Sequence, residues 1–182
     1  MAAGHDFPQL LLAAQAGSGQ AVERLFARHN PALRRYLEAR AEGMGDDLAQ
    51  EVWIAASRNL RTFTGDEGDL RSWLFSIARS KLIDQGRRST RQPSTPTDPH
   101  ILEATSVWER PVDNLTAIEA VNELVHGLTD EQADIVLLRV VGGFSVEEVA
   151  SMVDKEPGAV RVAQHRALKR VATRMSEKAV TK

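Results

Sequence analysis

The sequence contains no cysteine. This excludes disulfides, thiolate metal ligands, cysteine nucleophiles and direct thiol sensing by the chain. Long apolar runs are also missing, and none approaches the ~20 residues needed to span a bilayer. The first six residues lack a basic stretch, and the apolar run at 10–14 is too short for the central part of a signal peptide. A cytoplasmic chain without membrane insertion is the expectation. Twelve glycines and seven prolines are too few for a fibrous or low-complexity protein. Neither sign of charge dominates: 23 Lys+Arg face 25 Asp+Glu, a formal net charge of −2, which rules out a uniformly basic DNA-coating protein. Catalytic constellations are absent too. His5, His29, His100, His126 and His165 stand apart, without paired metal-ligand spacing. The sequence holds no H-E-x-x-H, no phosphate-cradling glycine loop and no nucleophile elbow. No catalytic residue, metal site or cofactor is read, and the chain is expected not to be an enzyme.

What is present is enough apolar material for packed cores, 42% of 182 residues. That length allows one domain or two small ones. Four of the seven prolines fall within 92–114, among several Ser and Thr. Proline removes backbone donors and disfavours helix in the residue before it, so this segment reads as an extended linker. It separates a first domain, 1–91, from a second, 115–182. Charge is uneven in the second: 115–160 carries a net −7 and 161–182 a net +6. A basic helix inside an acidic protein suggests a local polyanion contact, but a solvated helix with a favourable C-terminal charge bias reads the same way.

Strand patterns are nearly absent, and both domains read as helical. A short apolar helix spans 7–16 and stops at Gly17. Val22, Leu25, Phe26, Leu33, Tyr36 and Leu37 recur at helical spacings, with a bend or break expected at Pro31. Asp46 or Asp47 is a candidate cap for a helix to about Leu60, with Leu48, Val52 and Ala56 inward. Residues 63–69, FTGDEGD, have loop composition. Leu70, Trp73, Leu74 and Ile77 begin another helix that ends in RRSTR, and Trp73 is assigned to the core. Beyond the linker, 115–126 is helical. Thr129 or Asp130 then caps a helix with Ala133, Val136, Leu137 and Val140 inward, and Gly142-Gly143 stops it. Ser145 and Glu148 form a capping box ahead of Val146, Val149, Ala150 and Val153. Pro157 opens the last helix at its favoured first position, with Val160, Ala163, Ala167, Leu168 and Val171 on the buried face.

A short helix, a tight turn and a longer helix make a helix-turn-helix, whose second helix lies in the DNA major groove. At about 100° per residue, Val162, His165, Arg166 and Lys169 fall opposite the buried stripe, with Arg161 at the edge. Arg binds guanine bidentately and an aliphatic group can touch a thymine methyl.

The segment LTDEQADIVLLRVVGGFSVEEVASMVDKEPGAVRVAQHRALKRV, 128–171, resembles region 4 of bacterial sigma factors. DDLAQEVWIAASRNLRTF, 46–63, resembles the polymerase-clamp-binding segment of region 2, and LRSWLFSIARSKLIDQGRRSTR, 70–91, its −10-reading helix. The two matches, in order and without the upstream and middle domains, point to the compact extracytoplasmic-function (ECF) group of the sigma-70 family. The resemblance implies an all-α chain of two small helical domains, and a function in promoter-specific initiation with core RNA polymerase (its β and β′ subunits), promoter DNA and an anti-sigma factor as partners. It places Asp47, Gln50, Glu51 and Trp53 on the β′ coiled coil, and the loop 64–69, with Thr64 and Asp66, at a flipped −10 base. Arg79, Lys81, Arg87, Arg88 and Arg91 then serve as phosphate contacts. In region 4, Arg161, Val162, His165 and Arg166 match the −35-reading positions, and Lys169 and Arg170 match phosphate contacts. Val162 stands where the family usually has a small polar residue, and Gln164 where it has an aliphatic one. The rival readings are a stand-alone helix-turn-helix regulator, which leaves 46–63 without a role, and an adaptor that binds polymerase but reads no promoter.

Overall fold

The computed structural model describes residues 6–91 and 112–180. Among them the chain forms eight α-helices, one 3-10 turn and no strand, so the all-α expectation holds. The first unit comprises α1 (Phe7–Gln15), α2 (Gly19–Arg40), α3 (Gly45–Asn59), the 3-10 turn Leu60–Thr62 and α4 (Glu67–Arg91). The second comprises α5 (Val112–Val125), α6 (Asp130–Val140), α7 (Val146–Val153) and α8 (Pro157–Val180). The proposed linker lies outside the described residues up to 111, and its last three residues already belong to α5.

Local chemistry explains most helix ends. The Ser18 hydroxyl accepts from the Ala21 amide and starts α2. Of the bend or break expected at Pro31, the break does not occur: α2 runs on through it. The helix is held on both sides of it by Leu25, Leu33, Tyr36 and Leu37, all at most 1% exposed, so packing overrides one missing hydrogen bond. Neither Asp46 nor Asp47 caps α3. The N-cap is Met44, and both carboxylates sit in the first turn, where they meet the positive end of the helix dipole. The Thr129 hydroxyl and the Gln132 amide close a capping box on α6. Ser145 and Glu148 do the same on α7, as the S-x-x-E spacing predicts. There the Ser145 backbone N–H, 2.6 Å from Glu148 Oε2, holds the carboxyl below its usual range. The turn into α8 passes through Asp154 at φ 55°, a left-handed conformation that Asp tolerates better than most residues.

The core is continuous across the two units. Phe7, Leu10 and Leu11 of α1 pack with Leu25 and Leu37 of α2, Leu48 and Val52 of α3, and Leu70, Leu74 and Phe75 of α4. Ile135 and Leu138 of α6 and Phe144 belong to the same cluster. Tyr36, Phe75 and Phe144 form a chain of rings, with centroids 5.3 and 5.1 Å apart. Helix α6 is therefore buried on two sides, one against α7 and α8 and the other against the first unit. This corrects its predicted inward set: Ile135 and Leu138 are buried, while Val140 is 59% exposed. Leu168, expected on the buried face of α8, is 41% exposed, about a quarter turn from the stripe of Val160, Ala167 and Val171.

Gly142 is required by this packing. A Cβ there would lie 2.5 Å from the Phe144 ring and 2.7 Å from the Leu138 carbonyl oxygen. The absence of a side chain lets the turn fold under and present Phe144 to Phe75.

Candidate polymerase and DNA surfaces

Helix α3 buries Leu48, Ala49, Val52 and Ala56, which turns Asp47 and Gln50 to solvent. Ile54 joins them, 47% exposed, one turn beyond Gln50. Sequence reasoning passed over Ile54, although an apolar residue off the buried stripe of an amphipathic helix is the signal for it. Asp46 forms an ion pair with Arg34. Glu51 and Trp53, placed with Asp47 and Gln50 by the sequence, are half-buried. Glu51 pairs with Lys81 of α4 at 2.8 Å. The Trp53 indole N–H donates to Asn30 Oδ1 at 3.1 Å, and its ring lies 5.2 Å from that of Phe26.

The loop between the 3-10 turn and α4 is built from both ends. Asp66 and Asp69 exchange backbone and side-chain hydrogen bonds at 2.9 Å, so Asp66 acts as a cap for α4. Phe63 stacks on Trp73, the centroids 5.3 Å apart at 20°. Gln15 Nε2 of α1 donates to the carbonyls of Leu60 at 3.0 Å and Phe63 at 2.8 Å. Thr64 is exposed on the loop thus fixed. Gln15 carries no local sequence signal, because its partners are 45 and 48 residues away.

The predicted cations of α4 do not form one surface. Arg79 Nε faces Asp134 Oδ2 of α6 at 3.4 Å, whereas Lys81 turns to Glu51 of α3. Arg87 is exposed near the end of the helix. The side chains of Arg88 and Arg91 lie outside the described residues. Arg71, not singled out by the sequence, sits 4.8 Å above the Phe144 ring.

On α8 the residues singled out by the sequence share an exposed side. Arg161, Val162, His165, Arg166, Lys169 and Arg170 are all exposed; Val162, His165, Arg166 and Lys169 lie opposite Val160, Ala167 and Val171, and Arg161 and Arg170 about a quarter turn from them. Arg161 is positioned by Glu147 of α7 at 2.7 Å, and Arg170 donates to Gln132 of α6 at 3.0 Å. Gln164 is half-buried. Arg166, Lys169, Arg170, Thr173 and Arg174 border a groove of about 540 Å³ beside Gly127. Arg174 bonds the Glu123 and His126 carbonyls, which completes the last turn of α5 and ties that helix to α8.

Residues 25–92 match Sigma-70 region 2, and residues 118–171 match Sigma-70, region 4. The ECF RNA polymerase sigma factor ShbA of Streptomyces griseus is 33% identical over 171 residues, covering 85% of this chain and 87% of that protein. The chain belongs to the ECF sigma factors of the sigma-70 family. The ECF RNA polymerase sigma factor BldN of Streptomyces coelicolor is 32% identical over 90% of this chain, which spans 64% of BldN. Among solved structures, CnrH in complex with the cytosolic domain of CnrY has the same fold, with a TM-score of 0.64, 22% identity, and coverage of 92% of this chain and 96% of that one.

As an ECF sigma factor, the protein directs RNA polymerase to promoters. Its region 2 match takes in most of α2 with α3 and α4, and its region 4 match takes in the end of α5, then α6, α7 and α8 as far as Val171. Helix α1, with the Gln15 contacts to the loop, precedes the region 2 match.

Proposed function

We propose that Asp47, Gln50 and Ile54 of α3 form the contact with the polymerase clamp, and that Arg161, Val162, His165 and Arg166 of α8 read the −35 element, with Lys169 and Arg170 on phosphate. The α8 face carries this reading: six side chains of the predicted recognition surface are exposed together on one side of a helix held by a short turn. Glu51 and Trp53 support the α3 surface from behind, through Lys81 and Asn30. Thr64 and the loop after the 3-10 turn receive the flipped −10 base, and Arg79, Lys81, Arg87, Arg88 and Arg91 contact the DNA backbone on separate stretches, Arg79 and Lys81 from opposite sides of α4. The protein works in the cytoplasm as a non-catalytic subunit, and an anti-sigma protein restrains it.

The test is run-off transcription with purified core polymerase on a promoter library, with and without the protein. Gln50→Arg should weaken core binding tenfold or more, about 1.4 kcal/mol, with an unchanged thermal melt, and Asp47→Arg should weaken it as much while lowering stability by about 1 kcal/mol, because it reverses a favourable charge at the start of α3. Transcription that depends on the protein supports the reading. Tight sequence-specific duplex binding by the free chain, without polymerase-dependent transcription, would transfer it to the stand-alone regulator.

A further inference from the structure

Two neighbouring glutamates open α7 and turn in different directions. The Glu148 carboxyl folds back onto the Ser145 backbone N–H at 2.6 Å and completes the capping box. Glu147, in the same first turn, points instead to α8. Its Oε1 accepts from Arg161 Nη2 at 2.7 Å, across the turn between the two helices. Both side chains are open to solvent, 59% exposed for Arg161 and 64% for Glu147. A pair this exposed adds little to stability, because water screens it and holding two long side chains together costs entropy. Nor does a carboxylate help the helix beside it approach DNA, whose phosphates repel it. What the contact does fix is the direction of one side chain on the recognition surface.

We propose that Glu147 is a positioning residue that sets −35 specificity: it holds the Arg161 guanidinium in the orientation that reads one guanine. This deepens the assignment of α8 to the −35 element and rests on it. Arg161 lies about a quarter turn from the buried stripe of Val160, Ala167 and Val171, on the side facing α7. Untethered, its long side chain can swing between base edges and the phosphate backbone. Reading guanine requires two N–H groups of the flat guanidinium aimed together at O6 and N7, whereas a phosphate contact carries no sequence information. The bond to Glu147 engages one edge of the guanidinium and leaves several N–H donors for the base. A fork held in place beforehand also loses less rotamer freedom on binding. Arg170 shows the contrast. It donates to Gln132, a neutral amide that also belongs to the α6 capping box, and it is placed on phosphate. The charged partner goes to the cation placed on a base.

The carboxylate has a second effect of opposite sign. It offsets the Arg161 charge, so this cation releases little counterion on meeting DNA. Glu147 thus exchanges general affinity for selectivity, and its loss should strengthen binding to every template while blunting the preference at one base.

The full-length protein, reconstituted with core polymerase, tests this on promoter fragments carrying each single-base change in the −35 element, at two salt concentrations. Arg161→Ala identifies the position and should reduce discrimination there about tenfold. Replacements at 147 then separate reach from charge. Gln reaches Arg161 as Glu does, but is neutral. Asp keeps the charge but is one methylene shorter, and Ala has neither. Preference at the Arg161 position should follow reach: it stays within about twofold in Glu147→Gln and falls about threefold or more in Glu147→Asp and Glu147→Ala. Affinity for all templates should follow charge: about two- to fivefold tighter at the lower salt in Glu147→Gln and Glu147→Ala, with a steeper salt slope, and no tighter in Glu147→Asp. Adding Glu147→Ala to Arg161→Ala should remove no further preference, because the acid acts only through that arginine. Glu131→Gln removes the same charge from the pair with Lys155 and should leave every preference intact. A thermal melt checks folding, and Glu147→Asp, which keeps the charge that suits the start of α7, decides if Glu147→Ala is unstable. Preference retained in Glu147→Asp and Glu147→Ala while Arg161→Ala relaxes it overturns the proposal alone. So does a further loss in the double variant. If neither Arg161→Ala nor Arg166→Ala changes the preference at any −35 position, the assignment of α8 falls, and this proposal with it.

Discussion

Arg79 and Lys81 stand two residues apart on α4 and serve opposite sides of the first unit. The Arg79 guanidinium reaches across to Asp134 of α6, and the Lys81 ammonium pairs with Glu51 of α3. Residues two apart on a helix are separated by about 200°, so they cannot track one nucleic-acid strand together in this conformation. Their replacements should differ. Lys81→Ala removes a partly exposed ion pair, and its cost in a denaturant melt should be under about 1 kcal/mol. Arg79→Ala should lower the yield of salt-resistant promoter complexes the more strongly of the two. Equal losses on a single template series would mean that both cations reach the same strand once polymerase has bound.

Gln15 ties α1 to the loop that precedes α4. One amide nitrogen satisfies two carbonyls, those of Leu60 and Phe63. Gln15→Leu keeps the bulk and removes both N–H contacts; Leu60 keeps the Phe63 amide at 3.1 Å, so the orphaned Phe63 carbonyl should carry a destabilisation of about 1 kcal/mol. Gln15→Glu places a carboxylate against the same oxygens and should cost more. If the contact positions the loop, discrimination among −10 bases falls in both variants while core binding is retained. A −10 substitution series with core polymerase measures this. Intact discrimination in a destabilised Gln15→Leu protein would confine the residue to a packing role.

His29 introduces an acid limit. Its side chain is buried among α2 and α4 beside the α6–α7 turn, and its Nε2 has no hydrogen-bond partner. Burial first, then the neighbouring Arg28 and Arg71, lower its pKa to about 4. Glu67, which pairs with Arg28, and the Gly142 turn complete its surroundings. The folded protein holds the neutral imidazole, whereas the unfolded chain takes up a proton near the ordinary value of about 6.5. This contribution to stability is therefore complete above pH 6.5 and is lost as the pH falls toward 4. Melting temperatures measured across that window should fall in the natural protein, and the fall should be smaller in His29→Gln. Parallel curves for the two proteins would show that other groups carry the acid limit.

The two helical units, the break at Gly142-Gly143, the Ser145 capping box and the exposed polar face of α8 follow from periodicity and end signals within a few residues, and all were legible. What escaped the sequence depends on contacts between distant elements. Val140 fits the inward period of α6, but the apolar run at Ile135–Leu138 is wide enough for two faces, and only the presence of the first unit selects them. Pro31 carries a strong local signal for a break, yet the buried residues on either side hold α2 intact. Glu51 lies off the Leu48–Val52 stripe and reads as solvent-facing, but α4 brings Lys81 to it. Asp134, which bears on Tyr36, Arg40 and Arg79, looks from sequence like any acidic residue in a negatively charged stretch.

Arg166 tests the recognition face. It is exposed on α8, opposite Val160 and Val171, and borders the groove with Lys169 and Arg170. Its charge is not needed for packing, so Arg166→Ala should leave the melting temperature and core binding unchanged. Two contacts with DNA are then distinguishable. Loss of a bidentate guanine contact should cost ~1–3 kcal/mol and relax preference at a single −35 base. Loss of a phosphate contact should weaken all promoters alike and reduce the slope of log affinity against log salt by about one. His165 and Val162, the latter 50% exposed, flank Arg166 on the same surface and are placed to meet neighbouring bases. That arrangement favours the base contact. The measurement is polymerase-dependent transcription from a −35 substitution series at two salt concentrations. A single position should lose its preference, with the salt slope nearly preserved. Unchanged transcription from every template would mean that α8 meets DNA through another face.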